Sequence, residues 1–176
     1  MITIYTDNIE SLRKFREELE KGLNVKIEIS GRKVLISGSS LDEYEADMAL
    51  DAFLFGFSVK KSLLLKNEDV VFKKIHIKEH TRRKNLSVVR ARLIGIKGKT
   101  KKIIEEISGC SIIIRQSEVG ILGDAESIED VTTAVVNLIR GAKQSNIYRF
   151  LEKINKTKLN YELGLKIKNN KNKKIV

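Results

Sequence analysis

Leu93-Ile94-Gly95-Ile96-Lys97-Gly98-Lys99-Thr100-Lys101-Lys102-Ile103-Ile104-Glu105-Glu106-Ile107 decides how the rest of the chain is read. An apolar pair enters a four-residue turn bounded by glycines, and a helix-patterned run follows at once. Gly95 and Gly98 tolerate positive φ and carry no Cβ, so another backbone can come close there. The helix beyond them opens with unpaired N–H groups and the positive end of its dipole, an environment suited to an anion. Lys97, Lys99, Lys101 and Lys102 place four cations at the same corner.

Two glycines at this spacing also make an ordinary tight turn, so the flanks decide. Upstream, Val70–Lys78 mixes apolar and basic positions in strand fashion. His80–Lys84 forms a basic connector, and a helix from about Asn85 carries Leu86, Val89 and Leu93 to the loop. Downstream, a helix burying Ile103, Ile104 and Ile107 is expected to end at Gly109. Strand Cys110–Arg115, strand Glu118–Leu122 and helix Ser127–Arg140 follow. Strand, helix, glycine loop, helix, strand, strand, helix resembles the type I KH arrangement, whose loop clamps about four nucleotides of a single strand. The type II order would place the extra helix and strand before the loop and end soon after Arg115. Ile104 and Ile112 read as core, Ile94 as shared between core and groove.

Charge sharpens this reading. The chain has 176 residues and a net charge of +11, unevenly spread. Residues 1–70 hold 10 Lys/Arg against 13 Asp/Glu, and residues 71–176 hold 24 against 10. Between Phe72 and Lys102 stand 12 basic residues and one acid, Glu79. A cluster peaking at the glycine loop fits phosphate neutralisation, the main source of affinity for nucleic acid. Arg82, Arg83 and Lys84 either track such a backbone or coat a linker.

The chain also repeats itself at a displacement of 85 positions. Leu19 aligns with Ile104, Ile27 with Ile112, Ile29 with Ile114, Val34 with Val119 and Ile36 with Ile121, with no gap. Gly38 meets Gly123, Phe53 meets Leu138 and Gly56 meets Gly141. Two copies of one supersecondary unit are the economical reading. The expected fold is α+β, two type I KH-like units, each a three-stranded sheet with helices on one face. Their expected bounds are 1–69, 70–155 with an extra C-terminal helix capped by Ser145, and a loosely ordered basic tail 156–176 with some local helix or strand. In the first copy, strand Ile2–Tyr5 precedes a helix capped by Asp7 or Asn8. Strands Val25–Ser30 and Lys33–Ser37 and helix Leu41–Phe55 follow. Projecting the loop back by 85 lands on Glu10-Ser11-Leu12-Arg13, without either glycine. The first copy is therefore read as degenerate, serving packing, spacing or protein contact, with direct but non-clamping RNA contact as the alternative. Ile113, whose counterpart is Glu28, turns the outer sheet face apolar in the second copy alone. An inter-repeat interface and a docking surface both fit it.

The segment Leu93–Glu106 resembles the glycine-loop region of archaeal tandem-KH ribosome-assembly factors, relatives of the eukaryotic Partner of Nob-one family. Ile121-Leu122-Gly123-Asp124 and Gly141–Glu152 continue the likeness, which spans Val70 to Lys153. It implies a small-ribosomal-subunit assembly factor holding the 3′ region of the 16S rRNA precursor. It also implies partnership with the rRNA-trimming endonuclease and contact with the α subunit of initiation factor two. The RNA-binding set expected here is Arg92, Ile94, Gly95, Ile96, Lys97, Gly98, Lys99, Thr100, Lys101 and Lys102.

Other classes find less support. His76 and His80 stand four apart in strand-patterned sequence, about 13 Å along it, too far for one metal. The glycines lack the G-x-x-x-x-G-K spacing of a P-loop, so neither an enzyme nor a cofactor is expected. The sole cysteine, Cys110, reads as an inert core thiol. No run reaches the ~20 apolar residues of a membrane span, and Met1–Tyr5 lacks the pattern of a secretory signal. The expected location is the cytoplasm. A protein–protein adaptor with a vestigial loop, and a KH protein of mRNA or exosome pathways, are the alternative readings.

Overall fold

The computed structural model describes the backbone of residues 1–172 and the side chains of residues 1–160. Its first half runs β1 (Ile2–Tyr5), α1 (Ile9–Leu23), β2 (Lys26–Ser30), β3 (Lys33–Ser37), α2 (Ser40–Phe55) and a single turn α3 (Val59–Ser62). The second half runs β4 (Val70–His76), α4 (Leu86–Ile94), α5 (Lys99–Ser108), β5 (Ser111–Ile114), β6 (Glu118–Asp124), α6 (Ala125–Arg140) and α7 (Gln144–Asn172). Two antiparallel three-stranded sheets result, ordered β1-β3-β2 and β4-β6-β5. Each buries one face under its helices. Leu12, Leu19, Ile27, Ile36 and Leu50 centre the first core; Val89, Ile104, Ile121, Val131 and Leu138 centre the second.

The 85-residue displacement holds down to individual hydrogen bonds. Ile27 pairs with Ile36 in the first hairpin and Ile112 with Ile121 in the second. Glu20 Oε1 accepts from the Ile27 N–H at 2.6 Å, and Glu105 Oε1 accepts from the Ile112 N–H at 2.7 Å. Each carboxylate also pairs one helical turn back, Glu20 with Arg16 at 3.1 Å and Glu105 with Lys101 at 3.4 Å. Asn24 and Gly109, again 85 apart, end α1 and α5 in the left-handed region. A half-buried acceptor that fixes where the next strand starts sets the register of the whole hairpin.

Between its first two strands the first half has α1 alone, where the second has α4, the loop and α5. Glu10, Ser11, Leu12 and Arg13 are plain α1 residues, with Leu12 in the core.

Several expectations are corrected. Helix α7 continues past Lys156 to Asn172, one element where only local helix or strand was expected. Once Ile147 and Leu151 are buried and the helix is nucleated, propagation through a proline-free run is cheap. Lys158 adds ties to Asp130 and the Glu126 carbonyl. Residues 173–176 of the expected tail lie outside the described residues. Helix α7 begins at Gln144, so Ser145 lies inside it and does not cap it. Neither Asn8 nor Asp7 caps α1: Asn8 makes no side-chain cap bond, and Asp7 pairs instead with Arg32. Strand β4 stops at His76, and Ile77–His80 turns as a 3-10 helix. Ile103 is only half-buried. Cys110 is buried, and that burial pushes its thiol above the ordinary range, in keeping with an inert core role.

The two halves meet through the outer face of the second sheet. Ala52, Phe55, Phe57, Leu65 and Leu122 are buried there, with Val70, Phe72 and Ile113 packed against them. Ile113 thus belongs to the contact between the halves. Phe72 lies edge-on to Phe55 and Phe57, both at 5.6 Å. Arg115 stands 5.0 Å over the Phe55 ring and donates to the Leu54 carbonyl at 3.0 Å. The Lys74–Asp51 pair at 2.5 Å is half-exposed and contributes about 0–1 kcal/mol. Each buried phenylalanine contributes about 1.5–3 kcal/mol, so the aromatic cluster dominates. It needs Gly120, where an added Cβ would stand 2.4 Å from the Phe55 ring. The first copy has Leu35 at the matching position.

Gly120→Val is expected to force the halves apart locally and cost about 1–3 kcal/mol in urea denaturation. Gly31→Ala, in an open turn away from this contact, is the control, and is expected to leave the Phe55–Phe72 contact intact.

Candidate nucleic-acid interface

Helix α4 is capped by Asn85, whose side-chain oxygen accepts from the Ser87 N–H at 2.9 Å. Val89 and Leu93 face the core. The opposite side leaves Val88, Ala91 and Ile94 exposed in a line toward the loop. Val88 went unremarked in the sequence because helical spacing does not say which apolar positions lack a covering neighbour. Arg90 donates to the Gln116 carbonyl at 2.7 Å, tying α4 to the β5–β6 turn.

The loop itself is sharply bent. Gly95 has φ 75°, Lys97 φ 51° and Gly98 φ 77°. A left-handed lysine costs about 1–2 kcal/mol. The strain is held from beneath. A Cβ on Gly95 would stand 2.1 Å from Thr100 Oγ1, so only glycine fits against that side chain. Gln144 Nε2 donates to Thr100 Oγ1 at 2.7 Å and to the Arg92 carbonyl at 3.1 Å. Arg92 in turn donates to the Ala142 carbonyl at 2.8 Å. The start of α7 thus clamps both ends of the loop.

The loop's other side is open. Ile96 is 86% exposed, and a Cβ on Gly98 would meet nothing within 4 Å. Lys97 and Lys99 are exposed and have no acidic partner among the described residues. Lys101 and Lys102 are paired one turn along, with Glu105 and Glu106. Gly98 offers no side chain to cap α5, and no acid stands in its first turn. Lysines there oppose the helix dipole, and an approaching anion relieves both the dipole and the crowded charge.

Of the ten residues expected to contact RNA, the structure brings Ile94, Gly95, Ile96, Lys97, Gly98 and Lys99 together around one open corner. It turns two others to different work. Thr100 is only 2% exposed and faces inward, so its hydroxyl braces the loop. Arg92 is committed to the Ala142 carbonyl. Gln144, the residue that joins them, was not singled out in the sequence. Its partners are 44 and 52 positions away, beyond any local pattern. His76 faces Glu118 across the β4–β6 pair at 3.1 Å. No cluster of three or more metal-ligating side chains occurs among the described residues.

An antiparallel β4-β6-β5 sheet with a GxxG loop between α4 and α5 defines a type I KH protein. Comparison with known proteins narrows this. A family model described as a eukaryotic-type KH domain (KH type I), that of the second KH domain of PNO1, matches residues 71–156. A KH domain-containing protein of Methanocaldococcus jannaschii is 30% identical over 145 residues, covering 78% of this chain and 64% of its own length. The RNA-binding protein pno1 of Drosophila melanogaster is 37% identical over 100 residues, covering 55% of this chain and 42% of its own. The chain therefore spans between about two fifths and two thirds of these curated relatives. The crystal structure of Dim2p from Pyrococcus horikoshii superposes with TM-score 0.76 at 31% identity, over 87% of this chain and 99% of that one. The same protein in an a/eIF2alpha–Dim2p–rRNA complex gives TM-score 0.79 at 31% identity, over 89% and 94%. The chain belongs to the Dim2p/PNO1 family of KH-domain proteins.

Gly95→Ala is expected to destabilise the fold by more than about 1 kcal/mol, through positive φ and collision with Thr100. Gly98→Ala meets open space and bears the φ cost alone. Thermal denaturation of the two variants should show the larger loss at Gly95.

Proposed function

We propose that this chain is a non-catalytic, single-stranded RNA-binding protein that acts in small-ribosomal-subunit assembly. Its ligand is the 3′ region of the 16S rRNA precursor. One observation carries the reading: a loop held rigid from below by Thr100 and Gln144 presents Ile96 and two unpaired lysines outward. Phosphates approach the Gly98 side, where no Cβ intervenes, and Lys97 and Lys99 neutralise them. Bases lie over the exposed line of Val88, Ala91 and Ile94, supplying preference rather than most of the affinity. The relative solved with rRNA and a/eIF2alpha supports both an rRNA ligand and an initiation-factor α-subunit partner. Relatives named pre-rRNA-processing proteins support the pathway. The two sheets support a division of labour. A unit over 70–155 grips RNA, and a unit over 1–69, which lacks the loop, spaces it or contacts protein. Residues 156–176 form a basic extension. The rRNA-trimming endonuclease and the small subunit itself complete the proposed cytoplasmic assembly.

Gly98→Asp tests this directly. Aspartate tolerates left-handed backbone better than most residues, so the fold should survive while its carboxylate repels phosphate. Filter binding or anisotropy with a single-stranded RNA matching the 16S 3′ end should show at least about tenfold weaker binding at unchanged circular dichroism. Unchanged binding would sink the clamp. Lys97→Ala should lower the salt dependence of binding by about one ion.

A further inference from the structure

A second opening lies away from the glycine loop, in the cleft between the two halves. It measures about 490 Å³ and is bounded by the outer side of α2 on one wall and the start of β4 on the other. Leu41 is 66% exposed, Tyr44 61% and Val71 37%, three large apolar side chains left to water around one opening. Strand β4 is an edge: its sheet partner is β6 alone among the described strands. An exposed edge beside apolar side chains is a place where another chain adds.

Charge selects the class of partner. Glu45, Asp51 and Glu68 line the cleft against Lys66, which lines it too, and Lys74, which reaches Asp51 and the Phe72 ring, an excess of one acid. That is a net negative opening on a chain whose net charge is +11. Glu45 and Asp51 are engaged by Lys66 and Lys74, at 3.8 and 2.5 Å, while Glu68 has no basic partner among the described residues. Nucleic acid is repelled by such an opening. A cationic strand is attracted, and its apolar side chains find Leu41, Tyr44 and Val71 waiting.

From this apolar, acid-rimmed opening we infer that the cleft between α2 and β4 docks a basic, extended segment of a protein partner, with a large apolar side chain seated between Tyr44 and Val71. The site is separate from the RNA loop and stands whether or not the loop grips RNA.

The probe is a fluorescein-labelled peptide alternating lysine with leucine and phenylalanine, titrated into the full chain; the same peptide with glutamate for lysine is the control. Amide shifts confined to Leu41–Met48 and Val70–Phe72, with the glutamate peptide silent, are the expected result. Tyr44→Ala and Glu68→Lys should each weaken the peptide by about tenfold or less and leave RNA binding as it was. Shifts mapping elsewhere, equal binding of the acidic peptide, no binding at millimolar peptide, or a cleft covered by a second copy of this chain in sedimentation would each overturn the proposal. Loss of RNA binding in Gly98→Asp leaves the peptide result untouched, so the two readings fail independently.

Discussion

Everything exposed at the glycine loop depends on the contact hidden beneath it, Gly95 against Thr100. The backbone can press that close only because position 95 has no Cβ, and Thr100 stays buried only because Gln144 satisfies its hydroxyl. A buried hydroxyl without a partner would cost about 1–3 kcal/mol, comparable to the strain of left-handed Lys97. The bond therefore spares the corner a second cost beside that distortion. Remove it, and the loop has less reason to hold a shape that leaves Lys97 and Ile96 facing out.

The same chain solves its second structural problem with a different glycine. Gly120 opens the outer face of the second sheet so that Phe55 can press against it, joining two cores that are otherwise separate. The first sheet, with Leu35 there, has no such opening. The two halves thus differ at two places. One gained a loop and a glycine on its outer face; the other kept a continuous α1 and supplies the aromatic residues that fill the gap.

How much of this was legible beforehand follows from the range of each interaction. Local and periodic features were readable: the glycine loop, the alternation of Ile27 and Ile29, and an offset that later proved to carry the Glu20 and Glu105 bonds as well. Strand parity put Ile113 on the outer face, but parity does not name the neighbour, so Phe55 could not be foreseen. Thr100 was grouped with its lysine neighbours because composition shows what surrounds a residue in the chain and not which way it points. The length of α7 was missed for the opposite reason. Its lysines and asparagines form a helix once a packed first turn has met the nucleation cost, and that turn is invisible in the composition.

Gln144 is both the first residue of α7 and the donor that holds Thr100 and the Arg92 carbonyl. Helix α7 also grips the end of α5, where Asn155 donates to the Ile107 carbonyl. Fraying of that helix end and slackening of the loop are therefore coupled, because one side chain takes part in both. Whatever steadies the long helix also stiffens the corner over forty residues earlier in the chain, and a strand held at that corner steadies the helix in return.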